Sequence, residues 1–476
     1  MATGALNAKV DRLLRMIRDG KEMTLRQQLS LVVQLSIPAI VAQFSSIAMQ
    51  YIDAAMVGSV GADASASIGL VSTSTWLMSG LCSAVAIGFT VQVAHLVGAN
   101  DFRKARVVLR QSFVAAAFFG IFMALLGSGV SLRLPEMLGG SDEINPGATH
   151  YFMIFSLFLP VLLMIQLSGG MLRCSGNMKV PSMLNVLMCV LDVIFNYFLI
   201  FPTRDIEVAG LSFEMPGAGL GVVGAALGTG FAEIVVAVAM IWFLCRKSPE
   251  LKLTGEKGSF TPRREVVREA VRISTPLALE HAVICGAQIM TTVIVAPLGV
   301  FAIAANSFAI TAESLCYMPG YGIADAATTL VGQSVGARRK RLCLRFANIT
   351  VLMGIAVMGL MGIIMYVFAP EIIGVMTPVE EIRELGVMSL RIEAFAEPMF
   401  AASIVAYGAF VGAGYTLVPS LMNLVSIWAV RLSLAAYLAP FMGLRGVWIA
   451  LCVELCFRGV IFLIRLWTKG WLKIFK

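Results

Sequence analysis

The sequence predicts an all-α polytopic membrane protein with twelve transmembrane helices in two parallel six-helix repeats and both termini cytoplasmic. Three observations predict this. Hydrophobic residues make up 58% of the chain and charged residues 13%, with a mean hydropathy of +0.86; a soluble domain carries about 25% charge. Twelve apolar runs are each long enough to cross a hydrocarbon layer about 30 Å thick. The chain also matches itself at a fixed offset.

The runs lie near 34–57, 67–97, 112–134, 149–172, 180–202, 219–245, 272–297, 302–333, 345–368, 386–412, 418–440 and 443–468. They divide the chain into an N-terminal segment 1–30, a six-helix bundle 31–245, a linker 246–271, and a second bundle with a short tail 272–476. No cleavable signal peptide is expected, because the first run begins only after 30 residues. Leu6, Val10, Leu13, Leu14 and Ile17 share one helical face of the N-terminal segment, and basic residues occupy the other. That pattern predicts a short helix lying on the anionic inner leaflet.

The net charge of +8 is distributed by loop. Lys9, Arg12, Arg15, Arg18, Lys21 and Arg26 precede the first run. Arg103, Lys104, Arg106 and Arg110 follow the second, and the linker, Arg338–Arg341 and the tail are basic too. The alternate loops are acidic or neutral, with Glu136, Asp142, Glu143, Asp205, Glu207, Glu214, Glu371 and Glu380. The basic side is cytoplasmic by the positive-inside rule, so this charge speaks for topology and against a nucleic-acid partner. The nine cysteines and three histidines show no metal-ligand spacing; Cys452 and Cys456, one turn apart, read as packing residues. No cofactor is expected.

The repeat is specific. Pro38 and Pro276 differ by 238, as do Gly61 and Gly299, Gly98 and Gly336, Pro160 and Pro398, Gly176 and Gly414, Pro181 and Pro419, Asn185 and Asn423, and Pro202 and Pro440. Gly221 and Gly443 then differ by 222, which places about 16 extra residues in the fifth-to-sixth loop of the first half. Six spans per copy give both halves the same orientation, related by an axis along the membrane normal, with a substrate path expected between them.

Scaffold positions repeat, whereas working residues need not. A carboxylate at bilayer depth is costly and functional by default. Asp53 faces Thr291 in the internal alignment, Asp192 faces Val430 and Asn196 faces Leu434; Glu280 faces Ala42, Glu313 faces Thr75, Asp325 faces Ile87 and Glu397 faces Leu159. Gln43, Ser46, Gln50 and Asp53 form a polar stripe on the first span, and Asn185, Asp192 and Asn196 form one on the fifth. With Thr229 and Glu233 of the sixth span these make an oxygen-rich set suited to a proton or Na⁺. Glu280 and Gln288 in the seventh span, Gln50, and the acids Glu313 and Asp325 are candidates for substrate binding or secondary coupling. Arg173, Arg431 and Arg458 are expected to pair with such acids or to reach an interface.

Several motifs resemble those of the MATE (multidrug and toxin extrusion) family, on its bacterial DinF-like side. They are Asp53-Ala-Ala-Met-Val-Gly58, Val331-Gly-Gln-Ser-Val-Gly-Ala337 with its echo Ala94-His-Leu-Val-Gly-Ala99, Arg173-Cys-Ser-Gly-Asn177, Gly221-Val-Val-Gly-Ala-Ala-Leu-Gly-Thr229 and Pro276-Leu-Ala-Leu-Glu280. The similarity spans about residues 30–465. It implies secondary active efflux of organic, often cationic, compounds in antiport with Na⁺ or H⁺, by alternating access, from the bacterial inner membrane. It implies cation coupling at Asp53, Asp192, Asn196 and Thr229, with a possible Na⁺ there as the one metal. The fifth span departs from the family: Asp192 precedes Asn196, where the family often has Asn before Asp. His95 stands where the second copy has Gln333, and Val411 and Tyr415 replace a frequent Arg and Asp.

The expected partners are a drug-like or metabolite small molecule, the coupling ion and membrane lipid, with the chain working as a monomer. The alternative is a flippase for lipid-linked saccharides, which needs membrane-depth cations for a pyrophosphate, and few are present. A membrane-embedded enzyme is disfavoured, since no triad or ligand spacing occurs.

Overall fold

A protein chain in hydrocarbon must satisfy its backbone internally, and helices do this one segment at a time. The computed structural model describes residues 2–208, 211–255 and 257–475, with side chains for all of these except 2–7, 206–208, 211–213 and 474. Among the described residues, eleven helices are long and apolar enough to cross a bilayer: Leu25–Gly58, Ala62–Gly98, Phe102–Ser131, Asn145–Cys174, Lys179–Ile200, Val222–Arg246, Arg264–Leu298, Val300–Gly336, Lys340–Met376, Leu417–Met442 and Leu444–Lys473. The tenth crossing is a bent pair, Glu380–Ala394 and Glu397–Gly412, which meet at 59°. That makes twelve, in the order the apolar runs predict.

Most helices outrun those runs. The second and eighth spans have 37 residues each, about 55 Å at 1.5 Å per residue. Their last turns therefore stand in the polar zone, where hydropathy gives no signal. The first span begins at Leu25, fixed by a reciprocal capping box between Thr24 and Gln27, and the linker between the halves shortens to 247–263 because the seventh span starts at Arg264.

Each half is a bundle built on its fourth or tenth span. The second, third and sixth spans pack on the fourth; the eighth, ninth and twelfth pack on the tenth. Between the halves, the first span lies along the eighth and the seventh along the second. The parallel symmetry shows most clearly where the second and eighth spans cross. The His95 Nε2 lies 2.8 Å from the Gly412 carbonyl, and the Gln333 amide donates to the Cys174 carbonyl at 2.8 Å. His95 and Gln333 are repeat partners at offset 238, and so are Cys174 and Gly412. A Cβ at Gly98 would stand 2.1 Å from the Gln333 carbonyl oxygen, and one at Gly336 would stand 1.9 Å from that of His95. These reciprocal contacts mark the pseudo-twofold axis, and the glycines are retained because the backbones touch there.

One expectation needs correction. The N-terminal helix Ala2–Arg18 does not lie on the leaflet. Its apolar face, Val10, Leu13, Leu14 and Ile17, is buried against Leu31, Met178, Leu330, Leu342 and Phe346 beneath both halves; the side chain of Leu6 lies outside the described residues. Arg18, 4% exposed, ion-pairs with Glu250 at 2.9 Å and donates to the Ser175 carbonyl and the Gln333 side chain. Arg18 thus reads partners within the protein, while Lys9, Arg12 and Arg15 remain exposed. The tail likewise folds back, with Trp471 and Leu472 buried. The spans are helical as expected, and the extra residues of the first half form a two-stranded antiparallel hairpin in the fifth-to-sixth loop, Pro202–Val208 with Leu211–Ala218.

Candidate functional site

The fifth span turns Asp192 and Asn196 to one face because they are four residues apart. Both are fully buried, and the first span brings Asp53 against them. The Asn196 Nδ2 donates to Asp53 Oδ1 at 2.8 Å and to Asp192 Oδ2 at 3.2 Å, so one amide bridges two carboxylates. The carboxyls of Asp53 and Asp192 thus flank the same amide. Asp192 Oδ1 and Asn196 Oδ1 have no protein donor, which leaves two buried oxygens at the centre of the cluster. Gly228 of the sixth span packs on Asn196, where a Cβ would meet Oδ1 at 2.0 Å. Thr229 is half-buried beside it, and among the described residues its hydroxyl makes no hydrogen bond to the trio. Glu233 is within electrostatic reach of Asp192, and Tyr151 of the fourth span is within reach of all three acids. Tyr151 was not among the sequence candidates.

A separate cavity of about 490 Å³ opens beside the seventh, eighth and tenth spans. Gln43, Trp76, Ser83 and Ile87 are its first-half lining residues, and the second half supplies the remainder. Most of the cavity lining thus belongs to the second half. Glu280 lines it and is 8% exposed. Its carboxylate accepts hydrogen bonds from the Tyr407 hydroxyl, from Ser420 Oγ at 2.7 Å and from Asn423 Nδ2 at 2.6 Å. Gln288 and Glu313 line the same cavity. Asp325 does too, 3.9 Å from Arg173 of the first half, with Gln43 lining the same cavity. The structure thereby splits the polar stripe of the first span: Gln43 turns to the cavity, Asp53 turns to the fifth span, and Gln50 is exposed outside both.

Deeper in the second half, Glu454 is held by Arg431 at 2.6 Å, Arg458 at 2.7 Å and Ser426 at 2.5 Å. Ser426 and Arg431 both belong to a π-helical stretch, Ser426–Leu432, in the eleventh span. Asp192 and its neighbours occupy the equivalent place in the fifth span, which is regularly α-helical. The wider turn lets Ser426 and Arg431 converge on one carboxylate. Glu393 and Glu397 flank the bend of the tenth span, fully buried, with no protein donor on any of their four oxygens.

Sequence reasoning missed Glu454, Tyr407, Ser420 and Asn423. Glu454 faces Ala232 at offset 222, so the rule of unmatched acids extended into the last span finds it. Asn423 was masked by its match to Asn185, which marked it as scaffold.

A family model described as MatE matches residues 38–198 and 276–437. Its two segments start 238 residues apart, the offset of the internal repeat. Among curated relatives, a "Probable multidrug resistance protein NorM" of Thermotoga maritima is 26% identical over 446 residues, 93% of each chain. An "Uncharacterized transporter YisQ" of Bacillus subtilis is 22% identical, over 88% of this chain and 90% of its own. Among solved structures, a MOP superfamily transporter from Pyrococcus furiosus superposes with a TM-score of 0.84 at 19% identity, covering 94% of this chain and 97% of that one. A point mutant of the Vibrio cholerae MATE transporter VcmN gives 0.84 at 17% identity over 98% and 99%. The matched segments take in most of both halves, so the chain belongs to the MatE family of multispan membrane transporters and is a multi-pass protein of the bacterial inner membrane.

Proposed function

We propose that this transporter exports organic, often cationic, drug-like compounds or metabolites in antiport with H⁺ or Na⁺, and that Asp53, Asp192 and Asn196 take up the coupling ion. The observation that carries this reading is the Asn196 bridge: the buried Asp192 and the half-buried Asp53 share one amide, and two further oxygens have no donor among the described residues. A proton or a small hard cation supplies what those oxygens lack. Thr229 and Glu233 stand at the edge of this set and complete it when the sixth span moves. In the cavity, Glu280 supplies the charge for a cationic substrate, Gln288 a polar contact, and Glu313 and Asp325 secondary charge. The relatives named as multidrug resistance proteins support the substrate class.

Ion and substrate must favour different conformations for exchange to occur. The ion site lies within the first half and the cavity almost wholly within the second, so coupling passes through the contacts between halves and not through a shared ligand. Membrane lipid surrounds both halves, and the two-half design needs no second copy.

The lipid-linked saccharide flippase is weaker. The cavity's cations, Arg431 and Arg458, are both committed to Glu454, so no free pair remains for a pyrophosphate.

The test is efflux of a panel of cationic dyes from proteoliposomes under separately imposed Na⁺ and pH gradients. Asp53→Asn is expected to abolish gradient-driven efflux while leaving expression intact. Unchanged transport by that variant would refute the ion assignment, and a panel silent under both gradients would refute the antiport.

A further inference from the structure

The acids that line the cavity are not held alike. Glu280 accepts from Tyr407, Ser420 and Asn423, with a donor on each oxygen. Asp325, on the eighth span, meets Arg173 of the fourth span at 3.9 Å. That separation is beyond hydrogen-bond reach, whereas the two guanidinium contacts of Glu454 are 2.6 and 2.7 Å. The Arg173 and Asp325 side chains are 28% and 34% exposed, against 0% for Glu454. A loose, partly solvated ion pair contributes little and parts at little cost.

The backbone beside this pair is fastened even though the pair is not. The Arg173 carbonyl accepts from Thr329 Oγ1 at 3.2 Å, one turn along the eighth span from Asp325, and the Cys174 carbonyl accepts from Gln333. Arg173 stands in the last turn of its helix, Asn145–Cys174, where the helix dipole favours a cation. Its guanidinium therefore keeps a favourable setting when it leaves Asp325.

The pseudo-twofold axis supplies a control. At offset 238 Arg173 corresponds to Val411 and Asp325 to Ile87. Those two belong to one apolar cluster, and both line the cavity. The fold thus closes the equivalent contact without charge, so joining the halves does not by itself require an ion pair. A charged version on one side of the axis, at the wall of the cavity, has another use.

We propose that Asp325 is an exchange site, at which a cationic substrate displaces Arg173 and so releases this tie between the halves. The inference rests on the cationic-substrate reading above. The like charge of an arriving cation repels the guanidinium, and the looser contact yields. Bound substrate then favours the conformation in which Arg173 and Asp325 part, which is the differential contact that exchange demands. Arg173 also acts as a specificity-determining residue: an uncharged compound can occupy the cavity but cannot release the tie.

The test is equilibrium dialysis of two matched probes against the full chain in detergent: rhodamine 6G, a cation, and its uncharged spirolactam. Arg173→Gln removes the competitor and is expected to bind rhodamine 6G about fivefold more tightly. Arg173→Met, the second variant, should show the same gain, whereas loss of a merely structural arginine would weaken binding. Asp325→Asn is expected to bind the cation about fivefold more weakly. Adding Arg173→Gln to Asp325→Asn should then change nothing further, and the spirolactam should bind all four proteins alike. Rhodamine 6G bound no more tightly by either arginine variant would overturn the inference and leave the cationic-substrate reading standing. A gain that persists beside Asp325→Asn would overturn it too, since that marks a general field effect. Wild type binding the cation no better than the spirolactam would overturn the substrate reading and the inference with it.

Discussion

Asn196 is the residue on which the first-half site turns. A side-chain amide carries two hydrogens on one nitrogen, and both are used here, one on each carboxylate. Asn196→Leu is expected to leave Asp53 and Asp192 facing each other without a donor and to abolish gradient-driven efflux, measured with the same dye assay. Glu280 poses a different question, because its donors come entirely from its own half. Glu280→Gln keeps the shape and removes the charge; it should raise the KM for cationic dyes severalfold and leave uncharged substrates less affected. Glu454 is structural by comparison. Replacing it with Gln strands Arg431 and Arg458 in a buried setting and is expected to cost about 3–5 kcal/mol, read as a lowered thermal unfolding midpoint. The separation of these roles was partly legible in the sequence. Asp53, Asp192 and Glu280 were found because a lone acid in an apolar run is conspicuous. Tyr407, Ser420 and Asn423 were not, because neutral polar residues are cheap in a span and acquire meaning only from the carboxylate they face.

At the scale of elements, the helices follow their apolar runs and stray where polar chemistry takes over. Asp101 caps the third span, accepting from the Lys104 N–H at 3.1 Å and from its ammonium. Those contacts hold its carboxyl below the ordinary range. A depressed folded-state value means that the stabilisation is present above the unfolded-chain pKa and is lost as pH falls through the folded one. Asp101→Ala should cost about 1 kcal/mol at neutral pH, with the difference from wild type shrinking in acid. The N-terminal helix is the element least well anticipated. Its amphipathic pattern was readable, but the same pattern suits a leaflet or a protein surface, and only the hollow beneath Met178, Leu330 and Phe346 chooses between them. Because Arg18 reaches the linker and both halves, Arg18→Ala is expected to loosen that end of the molecule. Faster hydrogen exchange across residues 10–18 and 170–176 would show it. The π turn of the eleventh span left no trace in the sequence, since Ser426 to Leu432 reads as ordinary helix.

At the scale of the whole molecule, the repeat was the most legible feature. Offset 238 survives from Pro38 to Pro440 and reappears in the family match. What the offset cannot convey is how the copies divide their work. The first half buries its polar trio among its own helices, while the second half opens a cavity, because bulky and polar side chains diverge at matched backbone positions. The reciprocal crossing of the second and eighth spans sits at one end of two 37-residue helices. Each helix is a rod about 55 Å long, pinned near its last turn by Gly98 and Gly336. A rod pinned at one end is a lever, and each degree of tilt about that pin carries the opposite end through about 1 Å. The glycines therefore set the mechanical advantage of the machine. Spin labels placed close to the pin should report distances that barely change through the cycle, whereas labels near Ala62 and Val300 should record nearly the whole stroke.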